Sequence, residues 1–172
     1  DTQHTVHKGM VFMAERVAEK SGGKLQIEIY PSQQLGTERQ CLELLQIGSL
    51  AMTKVSAAVM ENFTPNIQIF SLPYIFRDKA HCFNVLDGEI GKQMLEEGEQ
   101  FWLRGLTYFD AGSRSFYSKE PIHTPDDLQN KKIRVQESIT AMNLVRSLGG
   151  APTPISWGEL YTALQQGVVD GA

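Results

Sequence analysis

Apolar residues recur at Val6, Met10, Met13 and Val17, the spacing of one helix face, and Ser21-Gly22-Gly23 closes that segment. Residues 24–30 then alternate polar and apolar, as a strand does, and Pro31 ends the run. Thr37 with Gln40 three residues later has the form of a capping box. It predicts a short helix with Cys41, Leu44 and Leu45 on its apolar face, closed by Gly48. Residues 50–53 suit a short strand, and 78–86 and 89–97 suit two helices.

The second half repeats the alternation. Residues 105–111 and 114–118 are strand-like, and Thr124-Pro125-Asp126-Asp127 starts a brief helix with Thr124 as its cap. A strand over 132–136 leads to Ser138, which caps a helix carrying Ala141, Val145 and Leu148 on one side; Gly149-Gly150 ends it. Ser156 and Glu159 form another capping box, followed by a stripe of Trp157, Leu160, Tyr161 and Leu164, with Gly167 as the stop. Helices alternating with strands predict an α/β fold with mainly parallel sheets. No internal repeat and no low-complexity segment interrupts the pattern.

Composition narrows the partners. Of 172 residues 41% are apolar and 21% charged, as in a globular protein, and no apolar run approaches the ~20 residues that span a bilayer. The formal net charge of -4 argues against nucleic acid or an anionic membrane, both of which need a basic face. A small anion is still compatible, because one or two placed arginines outweigh a weak overall charge. Cys41 and Cys82 show no metal-ligand spacing, and a buried free thiol is expected at Cys41. The chain opens almost directly on a helix and stops at Val168-Val169-Asp170-Gly171-Ala172, so a chain truncated at both ends is expected.

The side chains suited to chemistry are few. His4 and His7 lie three apart but lack a third ligand, and His81 and His123 stand apart from them, so no metal is expected. No nucleophile elbow, metalloprotease helix, dinucleotide fingerprint or P-loop occurs. Asp126, Asp127 and Glu159 are accounted for by helix starts. Arg134 says more. It lies on a strand feeding a helix that begins near Ser138, where open α/β sheets gather ligands, and a guanidinium grips a carboxylate through two parallel hydrogen bonds. A surface position on an edge strand explains it equally well. Arg114, after Gly112-Ser113, is a second candidate, with a solvated turn as the alternative. Trp157 fits core packing first, and a flat pocket wall second.

Four ordered stretches carry a resemblance. They are Ser21-Gly22-Gly23-Lys24 through Tyr30-Pro31 with Gln34-Leu35-Gly36; Gly112-Ser113-Arg114; Thr124 to Leu128 with Lys132-Ile133-Arg134-Val135; and Gly149 to Pro154 followed by Glu159 to Gly171. Ser71-Leu72-Pro73-Tyr74 also fits. Together they resemble the solute-binding proteins of TRAP transporters, of the DctP type, over nearly the whole chain.

The resemblance implies an α/β, two-lobed periplasmic-binding-protein-like fold, type II-like, with a cleft between the lobes. Residues 1–112 would form most of the first lobe, and 113–172 a crossover and part of the second. It implies that Arg134 pairs with a ligand carboxylate, that Arg114 assists, and that Trp157 lines the pocket. Ser56 matches a position that is acidic in sialic-acid-binding members, which counts against that substrate, and Glu137 matches another ligand-contacting position.

The function implied is capture of a small carboxylate, either a C4-dicarboxylate, a sugar acid or a related organic acid. The protein would act outside the cytoplasm, in the periplasm, and pass the acid to TRAP membrane permease subunits. It would need no cofactor, perform no catalysis, and be a monomer when full length. An incomplete lobe is expected to expose apolar surface. A sensory ligand-binding domain, or an enzyme on a similar two-lobed frame, stays open on the sequence alone.

Overall fold

The computed structural model describes residues 2–172. Helix α1 spans Thr5–Lys20, and the His4 imidazole accepts the Val6 N–H at its start. The capping box of Thr37 and Gln40 is present and opens α2, Glu38–Gln46. One turn of helix, α3, follows at Ala57–Met60, then a 3₁₀ segment at Pro65–Ser71. Helices α4 (Lys79–Leu86) and α5 (Glu89–Glu97) come next, with the Asp78 carboxylate accepting the His81 N–H at 2.7 Å. The second half holds a 3₁₀ turn at Pro125–Leu128, β1 (Lys132–Val135), α6 (Ile139–Ser147), β2 (Ala151–Pro154) and α7 (Trp157–Gln165). The α/β class expected from the patterning is therefore observed.

Strands β1 and β2 run parallel, Lys132 opposite Ala151 and Val135 opposite Pro154. The sequence of β2, Ala-Pro-Thr-Pro, is unusual for a strand, because proline cannot donate to a ladder. The register explains it. Alternate residues of a parallel strand face one neighbour, and the N–H groups of Ala151 and Ile155 point to β1, bonding the carbonyls of Lys131 and Val135. Pro152 and Pro154 fall between them, where β1 needs no donor.

The other edge of β1 meets the last residues described. Arg134 N–H donates to the Gly171 carbonyl, and Asp170 N–H to the Lys132 carbonyl, each at 2.8 Å. Tyr117 and Ala172 exchange two bonds of 3.0 Å, so the strand expected over 114–118 reduces to a bridge between Ser118 and Gly171. The strands expected at 24–30, 50–53 and 105–111 pair with no neighbour among the described residues and form no ladder. Polar and apolar alternation prepares two faces, but only a paired neighbour makes a strand.

Two apolar clusters form. Leu42, Val59 and Leu103 are buried together, with Leu45, Val55, Met60 and Phe63 against them. Leu42 is the centre of α2's inner face, while Cys41, expected there, is half-buried and free, as is Cys82. The second cluster joins Leu128, Ile133, Val135 and Val145. Large apolar side chains also lie exposed, among them Ile47 and Leu106.

The turn before β1 is held by a carboxylate. Asp127 accepts the N–H of Thr124 at 2.7 Å and of His123 at 2.8 Å, and these bonds hold its pKa below the usual carboxylate value. A depressed folded pKa contributes stability above about pH 4, lost as pH falls through the folded value. In Asp127→Asn, that acid-side loss of stability is expected to shrink, as read from unfolding midpoints between pH 3 and pH 7.

Candidate functional site

Arg134 is the third residue of β1 and half-buried. Its Nε donates to the Ile155 carbonyl at 2.9 Å, which turns the guanidinium along the end of β2. Its two Nη groups make no hydrogen bond or ion pair among the described residues. Burial is the main influence pushing its pKa below the ordinary arginine value; the nearby Arg114 guanidinium pushes the same way, while Tyr117 and Glu38 oppose. It nevertheless stays charged at any physiological pH. Two guanidinium groups sharing one locality repel each other, and an anion between them relieves that repulsion. Arg134 and Arg114 are thus close enough to influence each other electrostatically.

Glu38 is the residue that local sequence reading does not mark. It is the first residue of α2, and its carboxylate reaches across to Ser56, accepting the Ser56 hydroxyl at 2.6 Å and the Ser56 N–H at 3.2 Å. Lys54 pairs with the same carboxylate at 2.9 Å. Ser56 therefore lies in the site's neighbourhood through Glu38, while its own hydroxyl also caps α3 by accepting the Val59 N–H. An acid at the start of a helix is what the helix dipole alone would call for, which hides Glu38 in the sequence.

Glu137 lies two residues beyond the end of β1 and is half-buried. Its carbonyl accepts from Asn62 Nδ2 at 2.7 Å. Trp157 opens α7 with 63% of its surface exposed, so the packing role first expected for it is not seen. Tyr161, on the same stripe, is 76% exposed, and it is Leu160 and Ala163 that pack inward. At the start of α7 the expected capping box does not form: the Ser156 hydroxyl donates to the Glu159 carboxylate at 2.8 Å and caps no backbone N–H. The start of α6 is not an open anion site either. Ser138 accepts the Ala141 N–H at 2.9 Å, and Glu61 accepts the Thr140 N–H at 3.1 Å. A concavity of about 410 Å³ runs along α7, lined by Ile155, Gly158, Glu159, Thr162, Ala163, Gln166 and Val168, and does not include Arg134. Among the described residues, no group of three His, Cys, Asp or Glu side chains is placed to hold a metal, and no helix is long and apolar enough to cross a membrane.

The sequence profile of DctP, bacterial extracellular solute-binding protein, family 7, matches residues 1–172. The chain belongs to this family. Its members are solute-binding components of transport systems. The chain is 36% identical over 162 residues to the C4-dicarboxylate-binding periplasmic protein DctP of Rhodobacter capsulatus, covering 91% of this chain and 48% of that protein. A TRAP periplasmic solute-binding protein of Xanthobacter autotrophicus Py2, solved with bound β-D-galacturonate, superposes with a TM-score of 0.97 at 35% identity, over 100% of this chain and 58% of that one. Another, from Sulfurospirillum deleyianum and solved with bound succinate, gives 0.95 at 35% identity, over 100% and 56%. The chain spans about half the length of the curated relatives it matches.

Proposed function

We propose that this DctP-family protein captures a small organic acid outside the cytoplasm, in the periplasm, and delivers it to the subunits of a TRAP-type membrane permease. The observation that carries this reading is the half-buried Arg134, its two Nη groups open and the Arg114 guanidinium within electrostatic reach. In a chain of net charge -4, such a local excess of positive charge asks for a carboxylate. The bound galacturonate and succinate of the two solved relatives support the substrate class, a sugar acid or a C4-dicarboxylate.

The binding cycle follows from a two-lobed frame, with which the two separate apolar clusters agree. Residues 1–112 belong to the first lobe, and 113–172 to the crossover and the second. The acid meets Arg134 and Arg114, with Glu137 and the exposed Trp157 ring at the rim, and Ser56 on the facing side through Glu38. A ligand that contacts both lobes selects the closed state. The protein binds and releases without catalysis or a cofactor, as a monomer.

Thermal unfolding of the full-length protein against organic acids, uronic acids and neutral sugars tests this. An acid at about a hundred times its dissociation constant is expected to add ~2.7 kcal/mol, a rise of several degrees in Tm. Rises with carboxylates alone support the reading; rises with neutral solutes alone, or none, contradict it.

A further inference from the structure

Two adjacent polar residues, one buried and one exposed, tie the two halves of the chain together beside the site. Glu61 stands at the C-terminal end of α3 and is only 9% exposed. Its Oε1 accepts the Thr140 N–H at 3.1 Å. The neighbouring Asn62 donates to the Glu137 carbonyl at 2.7 Å and to the Val59 carbonyl at 3.1 Å. Two consecutive residues thus hold both ends of segment 137–140, which carries the chain from the strand of Arg134 into α6.

Capping alone does not account for this acid. Ser138, fully buried, already caps α6 through the Ala141 N–H, and a neutral side chain would satisfy the Thr140 N–H with less desolvation. The second carboxylate oxygen, Oε2, is buried without a hydrogen-bond partner among the described residues. What a carboxylate adds is a charge-assisted bond, roughly twice as strong as a neutral one, at the positive end of a helix.

The other end of α3 shows what the bond holds. Ser56 caps α3 at its start and is bonded there to Glu38, while Glu61 closes it five residues later. The helix is a single turn, with Ala58 and Val59 buried, so it can act as a short strut. At one end is the Glu38–Ser56 pair, and at the other is the segment that follows Arg134.

We propose that Glu61, with Asn62, is a positioning residue for acid binding: it clasps segment 137–140 and so fixes where Arg134 stands relative to Glu38 and Ser56. The proposal rests on the arginine-anchored reading above. Its role is carried by a charge-assisted bond to the backbone N–H of Thr140, so an uncharged acceptor of the same shape is expected to hold the segment only in part.

The test combines amide hydrogen exchange at Thr140 with calorimetric titration of D-galacturonate and succinate into the full-length protein. In Glu61→Ala, Thr140 exchange is expected to rise at least ~10-fold, and affinity for the bound acid to fall ~10-fold, the equivalent of one lost hydrogen bond to a charged group. Glu61→Gln, which retains an acceptor, is expected to return both values to within ~3-fold of wild type. Should Glu61→Ala fail to fold, the exposed Asn62→Ala variant frees the Glu137 carbonyl and is expected to weaken the acid ~3-fold. Unchanged Thr140 protection in Glu61→Ala overturns the clasp. Full affinity with Thr140 unprotected overturns its positioning role, as does full affinity in Asn62→Ala where Glu61→Ala cannot be made. A wild-type protein that binds neither acid overturns the acid-binding reading instead, and Thr140 exchange still decides whether the clasp exists.

Discussion

Replacing Arg134 by alanine is expected to weaken binding of an organic acid by about 3–5 kcal/mol, a loss of hundreds- to thousands-fold. The figure is large because the guanidinium is half-buried and pre-aimed: its Nε is fixed on the Ile155 carbonyl, which leaves the Nη edge for the ligand. Removing it leaves the ligand carboxylate desolvated, with Arg114 alone to meet it. Arg134→Lys is expected to recover only part of the loss, since an ammonium group cannot make two parallel bonds to one carboxylate. Calorimetric titration of the wild type and both variants with the same acid checks this. Equal affinity in Arg134→Ala removes the arginine from the site.

The second large effect concerns stability. Ile133 is completely buried between Leu128, Val135 and Val145, on the strand that carries Arg134. Ile133→Ala is expected to cost about 2–5 kcal/mol, for lost burial and for a cavity that a short, doubly paired strand cannot collapse to fill. Denaturant unfolding reads it as a lower midpoint at unchanged slope. A loss below about 1 kcal/mol would mean that the cluster around Ile133 repacks freely, and that β1 is a poor support for a binding side chain.

What the sequence discloses about this fold is mostly what lies within four residues. The capping box at Thr37, the Ser138 cap and the Thr124 turn are all legible, because a helix start is decided by side chains next to it. Pairing between distant segments is not. Residues 24–30 have strand periodicity and no ladder, whereas Ala-Pro-Thr-Pro has poor strand chemistry and becomes β2, because its prolines face away from β1.

The candidate site divides the same way. Arg134 can be read from its place between a strand and a helix, and the resemblance to solute-binding proteins points to Arg114. Glu38 cannot be read, since its position fits a plain helix-start acid until the fold lays it on Ser56 and Lys54. Glu61 is similar. An acid ending a one-turn helix has no local signature, and its meaning comes from Thr140. Trp157 differs for another reason: a stripe at helical spacing marks an apolar face, and the fold turns α7 so that Leu160 and Ala163 are buried and the indole is not.

The most direct measurement is calorimetric titration of the full-length protein with the acid that best raises its melting temperature, and with the methyl ester of that acid. The ester keeps the shape and hydroxyl groups but loses the charge that Arg134 and Arg114 would meet. An ester weaker by about a hundredfold or more is the predicted result, in line with an ion pair worth several kcal/mol. Equal binding of acid and ester would contradict an arginine-anchored carboxylate site.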